Sequence, residues 1–386
     1  MHFAPHRLRI LSAPPRYTSH LATNPAAISR LMIRATNWLG DAVMSLPAIR
    51  AMRDFLPHAH IAVVARPWVA DLYARESTIN EVIPYTAQHR WRDKLAFARG
   101  LRARGFDAAM LLQNAFDAAL MARLARIPVR IGYNRDGRGL LLSRPIPVPD
   151  AGDIPRHERF YYLELLRRAG WLEKFSPPAP ILFEGLDEAR TSGAAHLRTL
   201  GIETPPIGVS PGAAYGGAKQ WLPERFAEAA LRIATTQPHR CAVLVLGSKA
   251  ERELAESVAA QIRHGGLDAR NLAGETTLRQ FVDIAAACRL FLTNDSGAMH
   301  VASAVGVPTV AIFGATDNVA TGPCGPFTRV VREHAECAPC MLRECPIDHR
   351  CMTRVSAGRV AAEALALMEE AAPAWIAPAW THEQKS

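Results

Sequence analysis

Three short stretches carry residue types that could act together on a phosphorylated ligand. Asp295, Ser296 and Gly297 lie between an apolar run at 290–293 and a helix-like segment at 299–305, and a second apolar run follows at 308–313. This reads as a β-α-β unit with the polar turn at the carboxyl end of its first strand. Such a turn offers oxygens to ribose hydroxyls and bare backbone N–H groups to a phosphate. Asp and Ser are also ordinary helix N-caps, and a histidine such as His300 is commonly a packed core residue, so these residues alone specify nothing.

A second loop of the same kind lies upstream. Residues 207–210 read as a strand, Pro211-Gly212-Ala213-Ala214-Tyr215-Gly216-Gly217-Ala218-Lys219 follows, and a helix starts at Pro223. Glycines with a single lysine between strand and helix make a phosphate cradle in kind. The spacing is not that of a P-loop and no G-x-G-x-x-G occurs, so a nucleotide would be held in another way. The third stretch is Asn37-Trp38-Leu39-Gly40-Asp41, after an apolar run at 31–36. Asp41 is placed either to take a proton from a substrate hydroxyl or merely to cap the next helix.

The elements that must position these loops alternate. Strands are expected at 31–36, 61–65, 82–84, 108–112 and 129–132, with helices at 67–74, 91–104 and 116–125 between them. A helix after Asp41 runs to about residue 55, and Pro47 means that it either kinks or begins only near Ser45. Residues 134–157 read as a long loop, and helices at 158–170 and 187–200 lead to a second α/β unit with further strands at 241–247 and 271–273. The expected domains are 30–203 and 204–355, each doubly wound, with a final helix at 356–372 packing back toward the first. Residues 1–29, rich in Pro, Arg and His without periodicity, are expected to be a loose extension, and Met32 is a plausible start.

With 386 residues, 49% of them hydrophobic and 21% charged, the composition is that of an ordinary globular chain with room for two cores. Residues 1–200 carry 28 Lys and Arg against 17 Asp and Glu, whereas residues 201–386 carry 17 against 19. The basic half suits an anionic partner, but no dense basic block or RNA-binding signature points to nucleic acid. No apolar run reaches a membrane span and the first 30 residues lack a signal-peptide core, so a cytoplasmic protein, peripheral at a membrane surface, is expected. Cys337, Cys340, Cys345 and Cys351 form C-x2-C-x4-C-x5-C, a spacing that alone argues for zinc, although no flanking hairpin is evident.

PGAAYGGAKQW, TNDSGAMHVASAVGVPTVAIFG, RATNWLGDAVMSLPAIRAM and CAPCMLRECPIDHRCM together resemble the ADP-heptose:lipopolysaccharide heptosyltransferases, and within them the second-heptose type. The resemblance implies GT-B architecture, two Rossmann-like domains facing across a cleft. It also implies an inverting, metal-independent glycosyltransferase without cofactor, acting on ADP-heptose and the anionic inner core of lipopolysaccharide at the cytoplasmic face of the inner membrane. It makes Asp41 the expected base and Lys219 the group that stabilises the leaving diphosphate. Asp295, Ser296, Gly297 and His300 match the diphosphate and ribose contacts, with Gly40, Gly216, Gly217, Gly247, Ser248, Gly274, Glu275 and Thr276 lining the donor pocket. Arg50, Arg53, Arg66, Arg90, Arg92, Lys94 and Arg135 are collectively candidates for acceptor phosphates and carboxylates. Competing readings are transfer of a first or third heptose, a nucleotide-sugar epimerase of the same shape, and a non-catalytic nucleotide-binding module.

Overall fold

The computed structural model describes residues 27–86, 90–237 and 241–372. Residues 1–26 of the expected extension lie outside the described residues. Its last two residues belong to the fold: Ile28 is buried, and Ser29 N–H donates to Asp107 Oδ2 at 2.8 Å.

Two six-stranded parallel sheets form the frame. The first contains β1 (Arg30–Arg34), β2 (His60–Ala65), β3 (Glu81–Pro84), β4 (Ala108–Leu111), β5 (Val129–Tyr133) and β6 (Arg144–Ile146), in the order β3-β2-β1-β4-β5-β6. The second contains β7 (Ile207–Ser210), β8 (Val243–Val245), β9 (Ala269–Asn271), β10 (Leu290–Asn294), β11 (Thr309–Ile312) and β12 (Thr328–Val331), in the order β12-β11-β10-β7-β8-β9. Counted from its own first strand, the second sheet repeats the order of the first, 3-2-1-4-5-6. Each sheet therefore has a topological switch point where ligands bind, between β1 and β4 and between β7 and β10. The central strands β4, β7, β10 and β11 are buried along their whole length, which is why they read as continuous apolar runs.

The helices of the first half are α1 (Leu39–Phe55), α2 (Pro67–Tyr73), α3 (Trp91–Ala103), α4 (Phe116–Leu124) and α5 (Arg159–Arg168). After the linking helix α6 (Leu186–Thr199) come α7 (Pro223–Thr235), α8 (Arg252–His264), α9 (Leu278–Ala287), α10 (Gly297–Ala304), the short turns α11 (Asn318–Thr321) and α12 (Arg350–Thr353), and α13 (Ala357–Ala371). Helix α1 runs unbroken from Leu39 through Pro47, so the alternative start near Ser45 is wrong. The stretch expected as one loop at 134–157 contains β6, a three-residue edge strand around Pro145 and too short to show a period. Strand β12 has a half-exposed pattern that no sequence signal separated from loop.

Two expectations about packing are corrected. Helix α6 lies along α9, with Gly193 allowing the backbones to meet where a Cβ would strike the Asp283 carbonyl, so by packing it belongs to the second half. Helix α13 stays on that half too: its buried residues Val360, Ala364 and Leu367 share a core with Phe226 and Ile233 of α7. The apolar face of α13 finds its partner next door and has none left for the first domain. The halves meet where α1 packs on α10 and α2 on α9, with the Arg75 guanidinium paired to Asp283, and where the N–H groups of Glu158, Ile181 and Phe183 donate to the carbonyls of Ala320, Cys324 and Ala304.

Candidate active site

The carboxyl ends of both sheets open on one cavity of about 610 Å³, walled by Asp41 and Trp68 from the first half and by Lys219, Ser248, Thr276 and Asp295 from the second. On the first wall, Trp38 is the N-cap of α1 in extended conformation and makes no side-chain cap. Asp41 therefore sits inside the first turn and is not the cap, although its charge still favours the helix N-terminus. Burial raises the proton affinity of Asp41, while a hydrogen bond from Tyr162 and the charge of Lys219 hold it back. Tyr162 on α5 is itself buried and is pushed far above the usual phenol range, first by burial and then by the Asp41 charge, so it stays a proton donor. A shielded carboxylate of raised basicity, oriented by one hydroxyl, has the properties of a general base.

On the second wall, Lys219 Nζ lies 2.6 Å from Asp295 Oδ2, and Thr316 Oγ1 donates to the same oxygen at 2.6 Å. Asn294, at the end of β10, accepts from Trp221 N–H at 3.0 Å and donates to the Pro211 carbonyl at 2.7 Å, which ties both ends of the glycine-rich loop. The cysteine-bearing segment braces the loop from behind. Ala218 N–H donates to the Arg343 carbonyl at 2.9 Å, and Tyr215 Oη donates to the Met341 carbonyl at 2.8 Å. Gly216, at φ +155°, is required here, because a Cβ would strike the Arg343 carbonyl. Gly216 and Gly217 thus face this brace and do not line the cavity, whereas Gly212 and Tyr215 do.

The two walls touch at their helix starts. A Cβ on Gly40 would lie 2.7 Å from His300 Cδ2, and one on Gly297 would lie 2.9 Å from Leu39 Cβ. The N-termini of α1 and α10 consequently converge on the cavity, and neither is covered by a capping side chain. Their free N–H groups, with Lys219 between the walls, favour an anion of the size and charge of a diphosphate. His300 is buried and its pKa is pushed down to about 4, mainly by burial, so it is neutral at physiological pH.

Beyond the diphosphate position the cavity is lined by Gly247, Ser248 and Glu251 on one side and by Thr276, Thr277 and Phe281 on the other. Glu251 Oε2 accepts from Ser248 N at 2.7 Å and from Ser248 Oγ at 2.8 Å. Gly274 and Glu275, expected in this wall, are not part of it: Gly274 packs on Lys249 at φ +76°, and Glu275 pairs with Arg252 at 2.8 Å. Among the described residues no group of three or more His, Cys, Asp or Glu is arranged to hold a metal ion, and all seven cysteines are free. Sequence reasoning passed over Tyr162, Thr316, Glu251 and Trp68. Tyr162 sits in RFYYLELL, where an aromatic at helical spacing looks like core; Trp68 lies in the first turn of α2, Glu251 in the 3-10 turn at Lys249–Glu251 and Thr316 in a loop, none with a distinguishing pattern.

Residues 94–350 match the family model described as glycosyltransferase family 9 (heptosyltransferase). The chain is 33% identical over 314 residues to lipopolysaccharide heptosyltransferase 2 of Escherichia coli strain K12, covering 78% of this chain and 88% of that protein. It is 32% identical over 312 residues, with the same coverage, to lipopolysaccharide heptosyltransferase 2 of Salmonella typhimurium. Among solved structures, E. coli ADP-heptose LPS heptosyltransferase II superposes with a TM-score of 0.74 at 29% identity, covering 88% of this chain and 99% of that one.

Proposed function

The chain belongs to glycosyltransferase family 9, the heptosyltransferases, and from that premise we propose that it moves heptose from ADP-L-glycero-D-manno-heptose to the first heptose of the lipopolysaccharide inner core, with inversion and without a metal. The observation that carries this reading is the pairing of unlike groups across one cavity: a shielded basic carboxylate, Asp41, in the first turn of α1 on one wall and a cation, Lys219, beside the α10 N-terminus on the other. Asp41 takes the proton of the acceptor hydroxyl as that oxygen attacks the anomeric carbon from the side away from the diphosphate. The bond from the anomeric carbon to the β-phosphate oxygen breaks in the same displacement, and ADP leaves with the electron pair. Lys219 and the α10 N–H groups meet the charge that develops there, the role a divalent cation otherwise fills. One in-line displacement inverts the anomeric centre.

No described helix is long and apolar enough to cross a membrane. The proposed acceptor is lipid-linked, so we place the transfer at a membrane surface, an association that the basic excess of residues 1–200 favours. The test is ADP release from ADP-heptose with a panel of truncated core acceptors, with and without excess EDTA. Turnover on the acceptor ending in one heptose, undiminished by EDTA, is expected. Turnover only on a heptose-free core, or only on a longer one, reassigns the step to a sister enzyme, and activity restored by magnesium overturns the metal-free mechanism.

A further inference from the structure

Of the basic residues that could hold an anionic acceptor, most are already occupied. Arg50 is paired with Glu76 at 2.9 Å and donates to the Leu182 carbonyl. Arg53 is spent on carbonyls, including those of Thr78 and Ala59. Lys94 is paired with Asp117, and Arg135 lies 3.6 Å from Asp136.

Arg66 differs. It is the N-cap of α2 at the carboxyl end of β2, and no carboxylate among the described residues pairs with it. Its Nε is shielded from water and has no protein partner. Its guanidinium is held by aromatic faces alone, with Cζ 4.7 Å from the Tyr85 ring centroid and 5.6 Å from that of Trp68. Arg34, buried and also without a carboxylate partner, lies 4.6 Å from the same Tyr85 ring. Tyr85 is fixed in turn by its hydroxyl, which donates to Asp117 at 2.6 Å. Two cations, Arg34 and Arg66, therefore share one aromatic ring, and the carboxylate bonded to that ring's hydroxyl, Asp117, is already paired with Lys94. Local charge of this kind in a partly dry place calls for an anion, and an arginine stacked on rings keeps its planar fork free for one.

The position says which anion. Trp68, two residues on, is 60% exposed, lines the same cavity as Asp41, and has its indole fixed by donating to the Asn37 carbonyl at 2.9 Å. A fixed, open indole face is a platform for the C–H face of a pyranose ring. We propose that Arg66 and Trp68 form an acceptor subsite: Trp68 stacks on a sugar of the acceptor, and Arg66 binds a phosphate or carboxylate substituent beside it. This assigns acceptor selection to Trp68, which shares the cavity with the base, and to the arginine stacked on it, and rests on the transfer reaction proposed above.

The test measures kinetics of Arg66→Ala, Arg66→Lys and Trp68→Ala on a water-soluble truncated core acceptor, and on the same acceptor after dephosphorylation and carboxyl reduction. Arg66→Ala is expected to raise acceptor KM about tenfold or more on the charged acceptor and little on the neutral one, with ADP affinity unchanged. Arg66→Lys is expected to recover only part, because it restores charge without the stacked fork. Trp68→Ala is expected to raise KM on both acceptors. Equal effects of Arg66→Ala on both acceptors, or a parallel loss of ADP affinity, overturn the proposal. So does unchanged KM with weaker cosedimentation on anionic phosphatidylglycerol vesicles, which would make Arg66 a lipid contact. If the wild-type protein transfers no heptose to any acceptor, the functional reading itself fails. If it transfers normally and Arg66→Ala behaves as wild type, only the subsite fails.

Discussion

The two halves share one strand order and have divided the chemistry between them. Both place a polar loop and a helix start at the switch point of a 3-2-1-4-5-6 sheet. In the second half that loop is tied down on every side. Asn294 holds its ends, the segment around Arg343 braces its back, and Lys219 is paired with Asp295. In the first half the corresponding loop is open, with Trp38 60% exposed and the Asp41 carboxylate in no ion pair among the described residues. Rigid donors aimed at a diphosphate suit a ligand that is the same in every turnover. An open rim of aromatic and basic groups suits a larger acceptor that must enter, orient one hydroxyl and leave.

The largest effects should separate the halves. Asp41→Asn keeps the shape of the first wall and removes the base, so turnover is expected to fall by about two orders of magnitude or more with ADP affinity near normal. Near-normal turnover at saturating acceptor would falsify the assignment of Asp41. Lys219→Ala is expected to act differently, weakening ADP and ADP-heptose binding roughly tenfold or more and slowing departure of the diphosphate. It also strands the buried Asp295 carboxylate, at a cost to stability on the order of 3 kcal/mol. Adding Asp295→Asn should restore the melting temperature but not the affinity. Recovery of both would reduce the ion pair to a structural one.

What could be read in the sequence divides along the same line. The sheets were legible because buried parallel strands must be apolar, as LFLTN at β10 and IGVS at β7 are. Lys219, Asp295 and Asp41 were legible because loops after strands concentrate polar residues among glycines. Tyr162 was not, because its role depends on α5 packing against α1, a contact between positions more than a hundred residues apart. Gly216 and Gly274 lie outside the cavity lining for a related reason. A glycine admits close approach equally by a ligand or by backbone, and here Arg343 and Lys249 fill the space. The packing of α6 and α13 was misread because an amphipathic face shows that a partner exists without showing which one.

A smaller effect tests how closely the halves must approach. Gly40→Ala puts a methyl group 2.7 Å from the ring of His300, a buried residue of α10. The α1 start must then back away from α10. A loss of about 1–3 kcal/mol in stability is expected from such overpacking, with a several-fold fall in kcat and little change in acceptor KM. Calorimetric unfolding with steady-state kinetics measures both. If kcat is untouched while stability falls, the contact between the helix starts serves the fold and not the alignment of base and leaving group.

The smallest expected effect is the most specific to the open wall. Tyr162 donates to Asp41, and that hydrogen bond favours the ionised carboxylate, opposing the burial that raises its pKa. Removing the hydroxyl in Tyr162→Phe leaves burial unopposed by this donor, so Asp41 must hold its proton to higher pH. The base is active only when ionised. The acidic limb of the kcat/KM profile should accordingly move to higher pH in the variant, with a modest loss of rate at neutral pH and recovery toward wild type as pH rises. Asp41→Asn would show no such recovery, since it has no proton to lose. Affinity for ADP, set on the other wall, should be the same in Tyr162→Phe and wild type across the range. An acidic limb that stays where it was, or moves to lower pH, would show that Tyr162 positions the helix and does not tune the base.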